Sequence, residues 1–546
     1  MTKPKNELLF LALGGSAEIG MNVNLYGCDG KWVMVDLGMT FADPGYPGID
    51  LVFADLEFIE KRREDLLGIV LTHGHEDHIG AIPYFAAELD VPLFATPFTA
   101  GLIRRKLEEA GLENDIELNI IPNEGSLELG PFGFQYFPIA HSIAEGNALL
   151  IDTPYGKIFH TGDWKLDDEP LLGVPATPEQ FTAVGDQGIL ALVCDSTNVF
   201  NDKASGSEGE VRRNLIRVVD DIDTRVVVTT FASNAARLQT LGEVAKHSGR
   251  TLCVAGRSLD RIIENSREAG YLKDFPPTVD FDEAMSLPRD KVMIIATGGQ
   301  GEARAALGRI AGDSHKIKLT EGDHVLFSSK QIPGNEIAIG RIQNQLAAKG
   351  VVMITERQEH IHVSGHPGRP ELAAMYEWIR PEILVPVHGE IRHMKEQARF
   401  GKAQGIPHAI FQQNGDVLKL APGEPKVIGQ ERTGRLVLDG DVILPADGKT
   451  LNNRRKIAHN GSIAVAVALD DGGRIFGEPV LKLQGVPLEE DEDEFLDEVC
   501  AEITNKYKKP VGDLEKFSEQ IRLLVRRAAT EWTGKKPVVS VLVIEA

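Results

Sequence analysis

A chain of 546 residues is too long for one ordinary domain, and roughly 150 residues per domain predicts two to four. Hydrophobic content of 42% with 25% charged residues argues against wholesale disorder, and no run nears the roughly 18 apolar residues of a membrane span. The net charge of −23 argues against a protein that coats DNA; a polynucleotide partner would need a narrow basic channel, since binding follows the local field.

The opening Met1-Thr2-Lys3-Pro4-Lys5-Asn6 leads into a strand-like run rather than a signal-peptide core, and Cys28, Cys194, Cys253 and Cys500 form no C-x-x-C pair. Both features predict a cytoplasmic protein with neither a disulfide scaffold nor a cysteine zinc knuckle. Apolar runs at 8–13, 32–36, 69–72, 92–96, 148–152, 157–161 and 190–195, with helical patterns at 80–88 and 97–110, predict mixed sheets with helices outside. From 208 onward the texture becomes strand–helix alternation: 225–230 then 235–248, 251–255 then 259–269, 291–297 then 303–310. Strands joined by helical crossovers make a parallel α/β unit, after which 384–387 reads as a return to the first sheet. A Gly/Pro/Asp-rich stretch, 422–447, and the basic 452–456 are expected to form a linker. Beyond it lie strands 462–469, 478–483 and 537–544 and helices 489–506 and 514–532, the first with an acidic start that suits a helix N-terminus.

The densest chemical signal is Thr72-His73-Gly74-His75-Glu76-Asp77-His78, directly after the apolar run 68–71. Imidazole and carboxylate suit zinc, and a loop between strand and helix can turn alternate residues toward two neighbouring ions. One ion takes about three protein ligands, so further ligands are expected at other strand ends. His141 after Phe137-Pro138-Ile139-Ala140, Asp163 after 158–162 and His388 after 383–387 are polar residues that end apolar runs.

The order H-x-H-x-D-H, then His, Asp and a distant His, resembles the metallo-β-lactamase superfamily, with Asp36 at the place of its first motif. This resemblance implies one zinc on His73, His75 and His141, another on Asp77, His78 and His388, Asp163 bridging, and Asp36 supporting the loop; Glu76 matches no ligand position. Cys194-Asp195-Ser196-Thr197-Asn198, Ser364-Gly365-His366-Pro367-Gly368 and Pro386-Val387-His388-Gly389-Glu390 resemble motifs A, B and C of the β-CASP nucleases. Segments 14–20, 230–234, 256–258, 327–329, 332–336 and 362–366 extend the likeness to the ribonuclease J family over nearly the whole chain; Gly299 departs from it, where serine is expected more often. The fold so implied is α/β: a metallo-β-lactamase αββα sandwich (1–207, and 369–450 with the linker), an inserted parallel α/β β-CASP domain (208–368) and a small α+β C-terminal domain (451–546).

By the same resemblance the chain is expected to be a zinc-dependent ribonuclease with 5′-to-3′ exonuclease activity that prefers a 5′-monophosphate, and with endonuclease activity, in rRNA processing and mRNA decay. Two Zn2+ per subunit are implied, with Mn2+ or Mg2+ as substitutes, single-stranded RNA as partner, and a homodimer or homotetramer, or a place in an RNA-decay complex. Asp77, His366 and Asp195 would be catalytic: His366 touching the scissile phosphate or protonating the leaving oxygen, Asp195 orienting a neighbouring histidine or ligand. His362, Val363, Ser364, Gly365, His366 and Ser233 would line the substrate. From position alone, Ser233, Asn234, Arg237, Arg257, Ser258, Ser328, Ser329 and Lys330 follow strand ends, where they either hold phosphates or cap helices. Asp50 with Asp439 or Asp441 could hold a structural Ca2+ or simply form surface turns. The helical spacing of Phe517, Ile521, Leu524 and Ala528 fits a domain core more than an interface. The rival readings are a β-CASP nuclease acting on DNA and a catalytically silent scaffold in RNA decay.

Overall fold

The computed structural model of the chain describes residues 6–302, 304–332 and 334–545; residues 1–5, Ala303, Pro333 and Ala546, which fall in segments read above, lie outside the described residues. The chain divides into two units, Met1–Thr40 with Phe53–Gly434, and Phe41–Val52 with Arg435–Ala546.

In the first unit an eight-stranded sheet runs in the order Lys426–Gln430, Asp416–Ala421, Leu8–Gly14, Val23–Cys28, Lys31–Val35, Leu66–Val70, Leu93–Ala95, Leu118–Ile120. A seven-stranded sheet runs Ser126–Leu129, Phe132–Pro138, Asn147–Thr153, Gly156–His160, Ile189–Asp195, Ile383–Val387, His408–Ala409. Successive side chains on a strand point to opposite faces. Thus Leu149, Ile151 and Val193 of the second sheet meet Phe10, Val33 and Val35 of the first in one buried cluster. Leu150, Phe159 and Leu192, on the other face, pack with Phe181, Leu372 and Ile379 from the helices Pro178–Gly185 and Arg369–Ile379. Helix Pro97–Ala110 packs against Leu93–Ala95 and Leu118–Ile120, completing the α/β/β/α layering. Each such core side chain contributes about 1.5–3 kcal/mol by burial.

Between Asp195 and Ile383 the chain builds a separate, all-parallel sheet: Thr278–Val279, Thr251–Ala255, Val292–Ala296, Val226–Thr229, His324–Phe327, Val352–Thr355. Unbroken apolar runs such as Val226-Val227-Val228 belong to strands covered on both faces. Val226 and Val228 pack with the helices Glu208–Asp220, Ala235–His247 and Arg257–Glu268, while Val227 packs with Ala306–Ala311 and Glu336–Ala348. The chain then returns as expected, Ile383–Val387 pairing in parallel with Ile189–Asp195.

The expected linker is structured, which corrects the sequence reading. Arg435–Asp439 and Val442–Pro445 form a hairpin around Gly440, at φ 62°, and helix Lys449–Asn460 covers the basic segment. In the second unit Ser462–Leu469 pairs antiparallel with Val480–Gln484 and parallel with Val538–Glu545. Helices Glu492–Lys506 and Leu514–Thr533 supply Phe495, Phe517, Ile521, Leu524 and Ala528 to the core on one face, so the spacing of the last four is a core pattern.

Candidate metal centre

Four strand ends converge on one site. His73, His75, Asp77 and His78 follow Leu66–Val70, His141 follows Phe132–Pro138, Asp163 follows Gly156–His160 and His388 follows Ile383–Val387. They form two groups, His73/His75/His141/Asp163 and Asp77/His78/Asp163/His388, with Asp163 common to both. In the first, His75 Nδ1 lies 3.1 Å from both His73 Nε2 and His141 Nε2, and Asp163 Oδ2 lies 3.9 and 3.6 Å from those nitrogens. In the second, His388 Nε2 is 3.0 Å from Asp77 Oδ2 and 3.7 Å from Asp163 Oδ1, and His78 Nε2 is 3.3 Å from Asp163 Oδ2. Ligands about 2 Å from a tetrahedral ion stand about 3.3 Å apart, so each group has the spacing to hold a divalent ion. Glu76 instead turns out to solvent and pairs with Lys106 at 2.6 Å.

Electrostatics agree with that chemistry. Burial, reinforced by neighbouring imidazoles, pushes His73 and His141 well below the usual histidine range, and burial takes His75 down to about 4, leaving neutral nitrogens. Burial also opposes charge on His388, yet Asp163, Asp77 and Asp195 lift it to about 9; Asp163, Asp36 and Asp77 likewise lift His78 against burial. Protons on these two rings meet a demand for positive charge that a dication would meet instead.

A supporting layer fixes the rings. Asp36, in the left-handed region at φ 65°, accepts the Thr72 N–H at 2.8 Å and holds His78 Nδ1 at 2.7 Å, so His78 presents Nε2. Thr197 does the same for His388, itself at φ 51°: its hydroxyl donates to His388 O at 2.9 Å and accepts the Nδ1 N–H at 2.8 Å. Asn22 Nδ2 lies 3.1 Å from both His78 Nε2 and Asp77 O. Sequence reading singled out neither Thr197 nor Asn22 as a functional residue; their contacts span 191 and 56 residues and leave no spacing signal.

The 194–198 and 364–368 segments meet beside the two groups. Asp195 Oδ2 accepts from His366 Nδ1 at 2.7 Å and Asp195 Oδ1 from Thr197 N at 2.8 Å, while Asn198 Nδ2 donates to Ser364 Oγ at 2.6 Å and His366 O at 3.1 Å. Asp195 is fully buried but His366 is 23% exposed, so the imidazole is the accessible member; burial opposes its charge, and Asp195 prevails in raising its pKa. Gly365 O sits 2.6 Å from His141 Nδ1, and a Cβ at Gly365 would lie 2.9 Å from His141 Cε1, so glycine permits the approach.

Other expected substrate contacts are distributed differently. Val363 packs in the core of the inserted domain and presents no side chain to a substrate. His362 has no partner on Nδ1; burial, then Arg237, Lys330 and Lys165, push its pKa well below the usual range, so it is neutral. Ser233 is half-buried just before helix Ala235–His247, which Asn234 caps by accepting the Arg237 N–H. Arg237 itself is 0% exposed, with its guanidinium on Glu208, Ser328 and the Ile361 carbonyl. Arg237, Asn234 and Ser328 therefore knit the inserted domain together and do not face a phosphate. Asp50, Asp439 and Asp441 form no ligand group among the described residues: Arg454 takes the Asp439 carboxylate at 2.6 Å, and the other two are exposed.

The family model for the metallo-β-lactamase superfamily matches residues 21–209, that for the ribonuclease J β-CASP domain 223–346, that for the Zn-dependent metallo-hydrolase RNA specificity domain 351–410, and that for the ribonuclease J C-terminal domain 449–546. Ribonuclease J of Sinorhizobium meliloti is 40% identical over 98% of this chain and 97% of its own. Those of Corynebacterium glutamicum and Thermus thermophilus are 35% and 32% identical, each over 99% of this chain and over 76% and 96% of their own. A protein of unknown function from Enterococcus faecalis V583 shares the fold, with a TM-score of 0.55 at 17% identity over 76% of this chain and 100% of its own. The layered sandwich, the paired ligand groups at its strand ends and the parallel insertion define a metal-dependent hydrolase of the metallo-β-lactamase superfamily. Within that class the chain belongs to the ribonuclease J family and is a metal-dependent ribonuclease. No described helix is long and apolar enough to cross a membrane.

Proposed function

We propose that the chain shortens single-stranded RNA from its 5′ end, prefers a 5′-monophosphate and also cuts internally, as an enzyme of rRNA processing and mRNA decay in the cytoplasm. The observation that carries this reading is the accessible His366, backed by buried Asp195 and tied through Gly365 to His141. Two zinc ions would be held, one by His73, His75 and His141 and one by Asp77, His78 and His388, with Asp163 shared. Bound there, they supply Lewis-acid charge at the phosphate and an activated water near neutral pH. His366 gives its Nδ1 proton to the hydrogen bond with Asp195, which leaves Nε2 to contact the scissile phosphate or protonate the leaving oxygen. Asp77, 30% exposed against 3% for Asp163, is the candidate ligand on the open side; burial opposes its charge, yet His78 and His388 hold it ionised, so it would act there as a hydrogen-bond acceptor. Ser233, Ser364 and neutral His362 would bind the phosphates by hydrogen bonds rather than charge. We keep the inserted domain at 208–368, and place a second copy of the chain, in a dimer or tetramer, against the open face of the terminal sheet, where Val480 and Leu542 are 66% and 60% exposed.

The test is a time course on 5′-monophosphate and 5′-triphosphate forms of one end-labelled RNA, beside its DNA counterpart, with His78→Ala as control. Mononucleotide release that favours the monophosphate and is lost in the variant is expected. Equal cleavage by the variant, or preference for DNA, refutes the reading.

A further inference from the structure

A cavity of about 110 Å³ lies at the carboxyl ends of the inserted sheet, lined among others by Thr230, Ser258, Thr297, Gly299, Glu302 and Ser329. In open parallel sheets ligands bind where neighbouring connections diverge. Here Thr251–Ala255 leads outward to Thr278–Val279, whereas its neighbour Val292–Ala296 leads across the sheet to His324–Phe327. The hydroxyls of Thr229, Thr230 and Ser329, only 0%, 3% and 6% exposed, have no hydrogen-bond partner. Unpaired buried hydroxyls are costly, so three at one place mark a site shaped for an occupant that bonds to them. Thr230 and Ser329 line the cavity, and two of the three converge on Gly299: a Cβ there would stand 2.7 Å from Ser329 Oγ and 3.1 Å from Thr229 Oγ1, and the missing side chain keeps that corner open.

The charge of the lining narrows the occupant. Among the described residues no Lys, Arg or His lines the cavity, and the Glu302 carboxylate does, with only Oε2 engaged, by the Gln300 N–H at 3.0 Å. A carboxylate without a cation disfavours a phosphate and favours a neutral ligand with hydroxyl donors, for which the half-buried Phe231 adds an apolar wall. The cavity also adjoins the segment that leads to His366: Ser328, next to Ser329, donates its hydroxyl to Ile361 O at 2.7 Å. We propose that this cavity seats the ribose of one nucleotide of the RNA and reads its 2′-hydroxyl, so that it separates RNA from DNA. The proposal rests on the ribonuclease reading. Ser258, at the N-terminus of helix Arg257–Glu268 where no side chain caps, stands at the rim of the same cavity and would meet the phosphate attached to that ribose.

The test uses the full-length, metal-loaded enzyme on end-labelled RNAs that carry a single 2′-deoxy substitution at successive positions. At one position KM should rise about five- to tenfold with kcat little changed, the scale of one lost hydrogen bond. Ser329→Ala and Thr230→Val should raise KM on all-ribose RNA by a similar factor and erase the penalty at that position. Ser329→Ala should melt with the wild type, because its hydroxyl has no partner to lose. Insensitivity to 2′-deoxy substitution at every position, or a penalty that survives in both variants, overturns the ribose pocket while leaving the ribonuclease reading intact. Loss of sensitivity to a methylphosphonate in place of the hydroxyl effect would assign the cavity to phosphate and also overturn it. Absence of RNA cleavage by the wild type would sink both readings.

Discussion

Replacing Arg237 by methionine should destabilise the folded protein by about 3–5 kcal/mol, the cost of leaving one member of a buried ion pair behind. The guanidinium is 0% exposed and donates to Glu208 Oε2 at 3.1 Å and Oε1 at 3.0 Å, and to the carbonyls of Ser328 and Ile361, both at 3.0 Å. Charge-assisted hydrogen bonds contribute about 1.5–3 kcal/mol each, but these share one side chain, so their simple sum overshoots. Methionine conserves most of the volume and isolates the electrostatic loss. Glu208, 3% exposed, would keep only Asn234 Nδ2 at 3.4 Å as a side-chain partner. Equilibrium urea unfolding of the metal-loaded protein measures the effect. Because an apolar pair of like volume is often neutral, Arg237→Met with Glu208→Leu should recover at least half the loss. A single variant within about 0.5 kcal/mol of wild type that instead weakens RNA binding and flattens its salt dependence would refute the structural role and restore the phosphate contact.

Thr197→Val should lower metal affinity about 10–100-fold, with Thr197→Ser near wild type; chelator competition followed by metal analysis reads this without reference to activity. Zinc titrated into metal-free protein at pH 7.5 should release protons, because His388, lifted to about 9, and His78, also raised, must give theirs up; no release in a weakly buffered indicator assay would contradict the charge pattern. Burial, then Arg237, Lys330 and Lys165, hold His362 well below the ordinary histidine value of about 6.5. Its neutral folded state therefore contributes stability that is fully present above 6.5 and is lost as pH falls through that value toward the folded pKa. His362→Asn should accordingly lose less stability than wild type between pH 7 and pH 5.5, and parallel losses in urea unfolding would exclude the effect.

The candidate ligands were legible in the sequence because four apolar runs end in them, one in the cluster His73 to His78 and the others in His141, Asp163 and His388, and an apolar run that ends in a polar residue marks the carboxyl end of a strand; their sharing between two ions came from the family resemblance. The terminal unit was legible for a related reason: Phe517, Ile521, Leu524 and Ala528 keep helical period, and their core is built from nearby chain. Illegibility followed sequence separation. Arg237 reads as a strand-end cation until Glu208, 29 residues earlier, is found in a helix whose pattern had not been marked. The hairpin Arg435–Pro445 was hidden by composition, although two short apolar runs, Leu436-Val437-Leu438 and Val442-Ile443-Leu444, separated by Asp439-Gly440-Asp441 are a strand–turn–strand signal that outweighs a Gly/Pro count.

The metal centre and the inserted domain are one construction. The insertion leaves and re-enters through adjacent parallel strands in which Asp195 stands opposite Val387, so its two ends deliver Asp195 and His388 side by side. Three rings of the two candidate groups then have their far nitrogen fixed from three places: His78 by Asp36, His388 by Thr197 just after the exit strand, and His141 by Gly365 O before the return. The last of these segments is tethered at Ile361 O by Arg237. A ligand carried by the sandwich is thus oriented by a carbonyl whose position depends on a salt bridge inside the insertion. Arg237→Met should therefore lose metal faster than wild type on dialysis against a chelator, under conditions where both remain folded, although the arginine touches no ligand. Equal retention would show that Gly365 keeps its place without the tether, and that the insertion supports the ligands only through its ends.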